Sequence, residues 1–134
     1  MNATRRPPDD PQEWLSRAKS SLAIAREGTG ISGARLEDLC FQAQQAAEKA
    51  LKGLLIYLHQ SFPPVHNLAV LVSLLEKADQ DVPNKIRQAV DLSDYAVAAR
   101  YPGAQEPITQ EEHEEAVSIA EEVVQWAERI VHDR

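Results

Sequence analysis

The chain has one cysteine, Cys40, which excludes an internal disulfide. Aromatic residues make up only 5% of it, and the alternating β-branched stretches that build strands are nearly absent. Ala, Leu, Glu and Gln dominate instead, a composition that favours helix throughout. No apolar run approaches the ~20 residues needed to span a bilayer, which argues against a membrane protein. The basic start Met1-Asn2-Ala3-Thr4-Arg5-Arg6-Pro7-Pro8 has no apolar stretch behind it and does not read as a secretory signal. A reducing cytoplasm is the expected location. Basic charge is also scarce, with 14 Lys and Arg against 21 Asp and Glu and a formal net charge of −7. That balance opposes the nonspecific grip on a phosphate backbone, which needs cations to displace counterions. Any nucleic-acid contact is expected to be local.

What is present is helical periodicity across 134 residues, the size of one domain. Residues 1–9 read as a flexible segment and 10–134 as a single domain with one core. Asp10-Pro11-Gln12-Glu13 predicts a helix start: Asp10 caps, Pro11 suits the first position and Glu13 stands where a capping box places its acid. Trp14, Ala18, Ser21, Leu22 and Ala25 then share a face. The stretch Gly28-Thr29-Gly30-Ile31-Ser32-Gly33 lacks a preceding strand and the Lys-Ser/Thr ending of a phosphate-cradling loop, so it reads as a linker.

A long second helix is predicted from about Arg35 to about His59. Spaced at 100°, Leu36, Leu39, Cys40, Ala43, Ala46, Ala47, Ala50, Leu51, Leu54 and Leu58 fall on one broad arc to be buried. Ala43, Ala46, Ala50 and Gly53 make a small-residue strip that lets a neighbouring helix come close. The opposite arc carries Gln42, Gln44, Gln45, Glu48, Lys49 and Lys52 and is expected to face water. Phe41 and Ile56 interrupt it, and large apolar groups on a polar face mark a contact surface, here assigned with Gln45 to a dimer or partner interface.

A third helix follows Phe62-Pro63-Pro64, with Val65-His66-Asn67 at its entrance and Leu68, Leu71, Val72 and Leu75 spaced for burial. A fourth starts near Pro83, turns Ile86, Ala89, Val90, Ser93 and Val97 inward, and stops by Pro102. The last opens on the capping box Thr109-Gln110-Glu111-Glu112, whose acids complement the helix dipole and need no ligand. Its inner face is Ala116, Ile119, Ala120, Val123, Val124, Trp126, Ala127, Ile130 and Val131. The fold class is therefore all-α, an antiparallel up-and-down bundle of about five helices.

Three segments carry chemistry: Cys40-Phe41-Gln42-Ala43-Gln44-Gln45-Ala46-Ala47-Glu48-Lys49-Ala50-Leu51-Lys52, Val65-His66-Asn67-Leu68, and Ala99-Arg100-Tyr101-Pro102. In this order and spacing they resemble the HEPN domain family, over about Trp14 to Val131. The resemblance implies a helical bundle, a homodimer, a nucleotide or RNA ligand, and a small nucleotidyltransferase as partner in a toxin–antitoxin or defence-type system. In members that cut RNA, an Arg is followed after four to six residues by a His, and the motif meets its twin across the dimer. Arg100 matches the Arg. Gln105, Glu106 and Pro107 stand where the His belongs, and none can move a proton near neutrality as imidazole does. The departure argues against an enzyme, while the Gln105 amide can still hold a phosphate or base.

Arg100 reads equally as a phosphate fork or as a partner for the free carbonyls of a helix end. Tyr101 ends its helix before Pro102 and is counted with Arg100 and Gln105 among the nucleotide- or RNA-binding residues; its plain reading is a ring packed under Pro102. Lys49 and Lys52 extend a basic strip toward that ligand, or pair with Gln45 and Glu48 one turn back. His66 is the one candidate for a relocated acid–base group in an alternative reading as a metal-independent RNase; its plain reading is a helix-entrance residue. His59 and His66 fail as a metal pair because no Cys or carboxylate spacing accompanies them, so neither metal nor cofactor is expected. A third reading is a helical protein–protein adaptor.

Overall fold

A computed structural model describes residues 9–98 and 107–132, with the backbone alone at Val97 and Ala98. Every regular element among them is helical. Helix α1 spans Pro11–Glu27, capped by the Asp10 carboxylate, which accepts the Gln12 N–H at 2.9 Å. It buries Leu15, Ala18, Ser21, Leu22 and Ala25. Trp14, expected on the inner face, is only half-buried, and its neighbour Leu15 takes the innermost place at 1% exposure. The glycine stretch is a connection: a 3₁₀ turn at Gly28–Gly30, then Gly33 at φ +86°, a left-handed value that glycine reaches without strain.

Helix α2, Leu36–Tyr57, is the centre of the molecule. Helices α1 and α6 pack along it, and α3 (Leu68–Lys77) and α5 (Ser93–Ala98) take much of what remains. The small-residue strip does what its spacing predicts. Ala43, Ala46, Ala47 and Ala50 have no exposure, and a Cβ on Gly53 would lie 2.8 Å from the Trp14 Cβ. The arc expected to face water does not: Gln44, Glu48 and Lys52 are buried at 0%, 4% and 7% exposure, and Leu55, outside the predicted inner arc, is fully buried. A helix surrounded by four others has little solvent face left, so its polar residues had to find partners inside.

Helix α3 opens on Asn67, whose side chain accepts the Ala69 N–H at 2.9 Å, and buries Leu68, Leu71, Val72 and Leu75 as expected. The single fourth helix of the sequence reading is three pieces: α4 (Asn84–Arg87), a 3₁₀ segment (Gln88–Leu92) and α5. Residues three apart eclipse in a 3₁₀ turn, which is how Ala89 and Leu92 both reach the core. Val90 and Ser93, expected inside, are half-buried, and the Val97 side chain lies outside the described residues.

Helix α6, Gln110–His132, begins in a reciprocal capping box. The Glu112 N–H donates to Thr109 Oγ1 at 3.1 Å, and the Thr109 N–H donates to Glu112 Oε1 at 2.9 Å. Its buried face is Ala116, Ala120, Val123, Val124, Trp126, Ala127 and Val131, joined by His113; Ile119 and Ile130 are half-buried at its edges. No helix among the described residues is long and apolar enough to cross a membrane.

Candidate functional site

One turn of α2 separates Gln44 from Glu48, and one more separates Glu48 from Lys52, so the three stack as a polar stripe inside an alanine-rich helix. Their groups form a closed network. Lys52 Nζ donates to Glu48 Oε2 at 2.9 Å, and Gln44 Nε2 donates to Glu48 Oε1 at 2.9 Å. Gln44 Oε1 accepts from Gln45 Nε2 at 2.8 Å. Burial pushes the Glu48 carboxyl upward, but hydrogen bonds from Lys52, Gln44 and His66 and the charge on Lys52 outweigh it and hold the group below the usual glutamate value. Glu48 is thus an ionised carboxylate under the surface.

The network reaches the surface through His66. Its Nδ1 lies 3.0 Å from Glu48 Oε1 and 3.2 Å from Oε2, while its side chain is 48% exposed. Its backbone is fixed from two sides. Gln44 Nε2 donates to the His66 carbonyl at 3.0 Å, and the next helix start is tied down where the Leu68 N–H donates to Ser93 Oγ at 2.9 Å. Beyond Lys52 the stripe ends on aromatic rings: its Nζ sits 5.4 Å from the Phe62 ring centre, and Phe62 meets Trp14 edge-on at 5.8 Å.

Sequence reasoning expected His66 and Lys52 separately; Glu48 joins them. It missed Gln44 and Glu48 as members of the site. The available signal was the run of polar groups at 44, 48 and 52, each one turn from the next. Lys49 points elsewhere, donating to Ser21 Oγ on α1 at 3.0 Å, and burial lowers its pKa against the opposing pull of Glu48. Phe41, Gln45 and Ile56 are half-buried. Arg100, Tyr101 and Gln105 lie outside the described residues.

Two further residues of chemically active type have structural duties. His113 is 4% exposed, its Nε2 is 2.7 Å from the Ala25 carbonyl, and it ties the start of α6 to the end of α1. Cys40 is fully buried, and burial first, then Glu112 and Glu37, pushes its thiol up to about 12, which leaves no thiolate for chemistry. Among the described residues no group of three or more His, Cys, Asp or Glu could hold a metal.

A helical bundle around a central helix, with a buried charge network that surfaces at one histidine, defines the chain as an all-α bundle domain. The chain matches the HEPN domain over residues 11–130, and it belongs to that family. It is also similar in structure to an archaeal HEPN homologue, with a TM-score of 0.72 and 28% sequence identity over 91% of this chain and 98% of the other. No curated protein matches it.

Proposed function

We propose that this HEPN protein is a non-cleaving module that binds nucleotide or RNA as a homodimer, working beside a nucleotidyltransferase in a toxin–antitoxin or defence-type system. The observation that carries the reading is the stretch 100–107: Arg100 is present to grip phosphate, and Gln105, Glu106 and Pro107 occupy the positions where a cleaving member holds its histidine. Tyr101 and Gln105 supply further polar contacts, and Phe41, Gln45 and Ile56 contribute to the face shared between copies. Lys52 acts one step back, through Glu48, while Lys49 is engaged by Ser21 on α1.

Two measurements test it. Size-exclusion with light scattering should give a dimer at micromolar concentration, and a monomer would remove the shared cleft. Pure protein should leave RNA intact without metal. Cleavage lost on His66→Ala would favour a second reading, an RNase that uses His66 as its relocated acid–base group; the observation behind it is the Glu48–His66 contact.

A further inference from the structure

His66 is held in one tautomer by what surrounds it. Every polar group that meets Glu48 besides the histidine is a donor: the Lys52 ammonium on one oxygen and the Gln44 amide N–H on the other. An ionised carboxylate only accepts. A ring in its neutral form can meet that carboxylate at 3.0 Å only with its hydrogen on Nδ1, which leaves the lone pair on Nε2. That nitrogen belongs to a side chain 48% exposed, and it has no partner among the described residues. With the ring neutral, the buried network presents one preoriented hydrogen-bond acceptor to solvent.

Such an acceptor suits a ligand that brings a donor, and in a nucleotide or RNA strand the donor found at every residue and absent from DNA is the ribose 2′-hydroxyl. A phosphate, which only accepts at neutral pH, is the wrong match for a neutral ring in this tautomer. A metal is a poor match too, since no set of ligating side chains joins His66 among the described residues.

We propose that His66 Nε2 accepts a ribose 2′-hydroxyl of the bound strand and makes the site select ribose over deoxyribose, with Glu48 as the positioning residue that fixes the ring. The proposal rests on the binding reading above and deepens it. Gln44 and Lys52 take part by keeping Glu48 ionised and in place.

The test is fluorescence anisotropy with the full chain and two probes, a short labelled oligouridylate and its 2′-deoxy counterpart. These differ only in the hydroxyl (and label neither base nor phosphate differently), so a base-edge contact would treat them alike. The wild type should prefer the ribose strand by roughly three- to tenfold, the worth of one ordinary hydrogen bond. His66→Ala, at an exposed position, should bring ribose affinity down to the deoxy value and leave deoxy affinity unchanged. A ribose preference that survives His66→Ala, or equal affinity of the wild type for both strands, overturns the role of His66 while the binding reading stands. Failure to bind either strand overturns the binding reading and this inference with it. Because Glu48→Gln strands a buried lysine and can unfold the chain, the positioning role is read on the wild type by ring-nitrogen NMR of the neutral histidine. The hydrogen should be found on Nδ1, and finding it on Nε2 overturns the assignment.

Discussion

Helices α2 and α6 are nearly the same length, 22 and 23 residues, yet they solve opposite problems. Helix α6 lies on the outside and sorts its residues cleanly, with Ala120, Val123 and Ala127 inward and Gln125 and Arg129 in water. Its charged residues stay at the surface, where Glu121, Glu122 and Glu128 pair with Arg26, Lys85 and Lys19. Helix α2 has neighbours all round, so Gln44, Glu48 and Lys52 have no water to turn to and satisfy one another instead. The same polar letters are therefore a solvated face on one helix and a buried network on the other. On the central helix substitution is costly, because a buried polar group there is held rigidly enough to aim another.

The largest effect should come from breaking that network on one side. Glu48→Ala leaves the Lys52 ammonium buried and unpaired and should cost about 3–5 kcal/mol, read by urea unfolding. The double variant Glu48→Leu/Lys52→Met removes both charges and should be more stable than Glu48→Ala; if it is no better, desolvation of Lys52 is not the cause. Next comes Gly53→Ala. Helix propensity alone would favour it by about 1 kcal/mol. The new Cβ, however, meets the Trp14 Cβ at 2.8 Å rather than a yielding side-chain tip, so a net loss of about 1–3 kcal/mol is expected. On α6, Thr109→Ala removes half of the capping box and should cost about 1 kcal/mol. Smallest of all, Glu114→Ala on the exposed face should stay within about 0.5 kcal/mol.

Acid sharpens the same contrast. The folded-state pKa of Glu48 is depressed, so its contribution to stability is complete above the unfolded carboxyl value, about 4.3. It is lost as falling pH passes through the lower folded value. Unfolding free energy followed from neutral pH to about pH 3 should fall more steeply for the wild type than for Glu48→Leu/Lys52→Met, which has neither charge. Parallel curves would show that the carboxylate gains nothing from its partners.

The contrast also explains what the sequence made legible. The outer elements could be read from their own letters: Asp10 and Thr109 cap where they should, Leu68, Leu71, Val72 and Leu75 go inward, and α6 sorts by period. These features depend on neighbours in the chain. The α2 polar stripe depends on how many helices surround it, and periodicity, which assumes one wet face, put Gln44 and Glu48 in water. The fourth helix was split for a related reason, since the turn at Ala89 and Leu92 answers to the core it must reach. Of the candidate site, His66 and Lys52 were legible as residue types at suggestive places. Their connection through Glu48 was not, because it joins α2 to the loop before α3 across 18 positions. Arg100 and Gln105 were legible only by their spacing against the HEPN motif.

We propose that Arg100 helps to hold an RNA strand that the protein does not cut. The direct measurement is anisotropy of a labelled short RNA with the wild type and with Arg100→Ala, followed by electrophoresis of the same RNA. Binding should weaken on Arg100→Ala and the RNA should be recovered intact; equal affinity in the two proteins, or RNA cleaved without metal by the wild type, would show that Arg100 does not hold the strand or that the strand is cut.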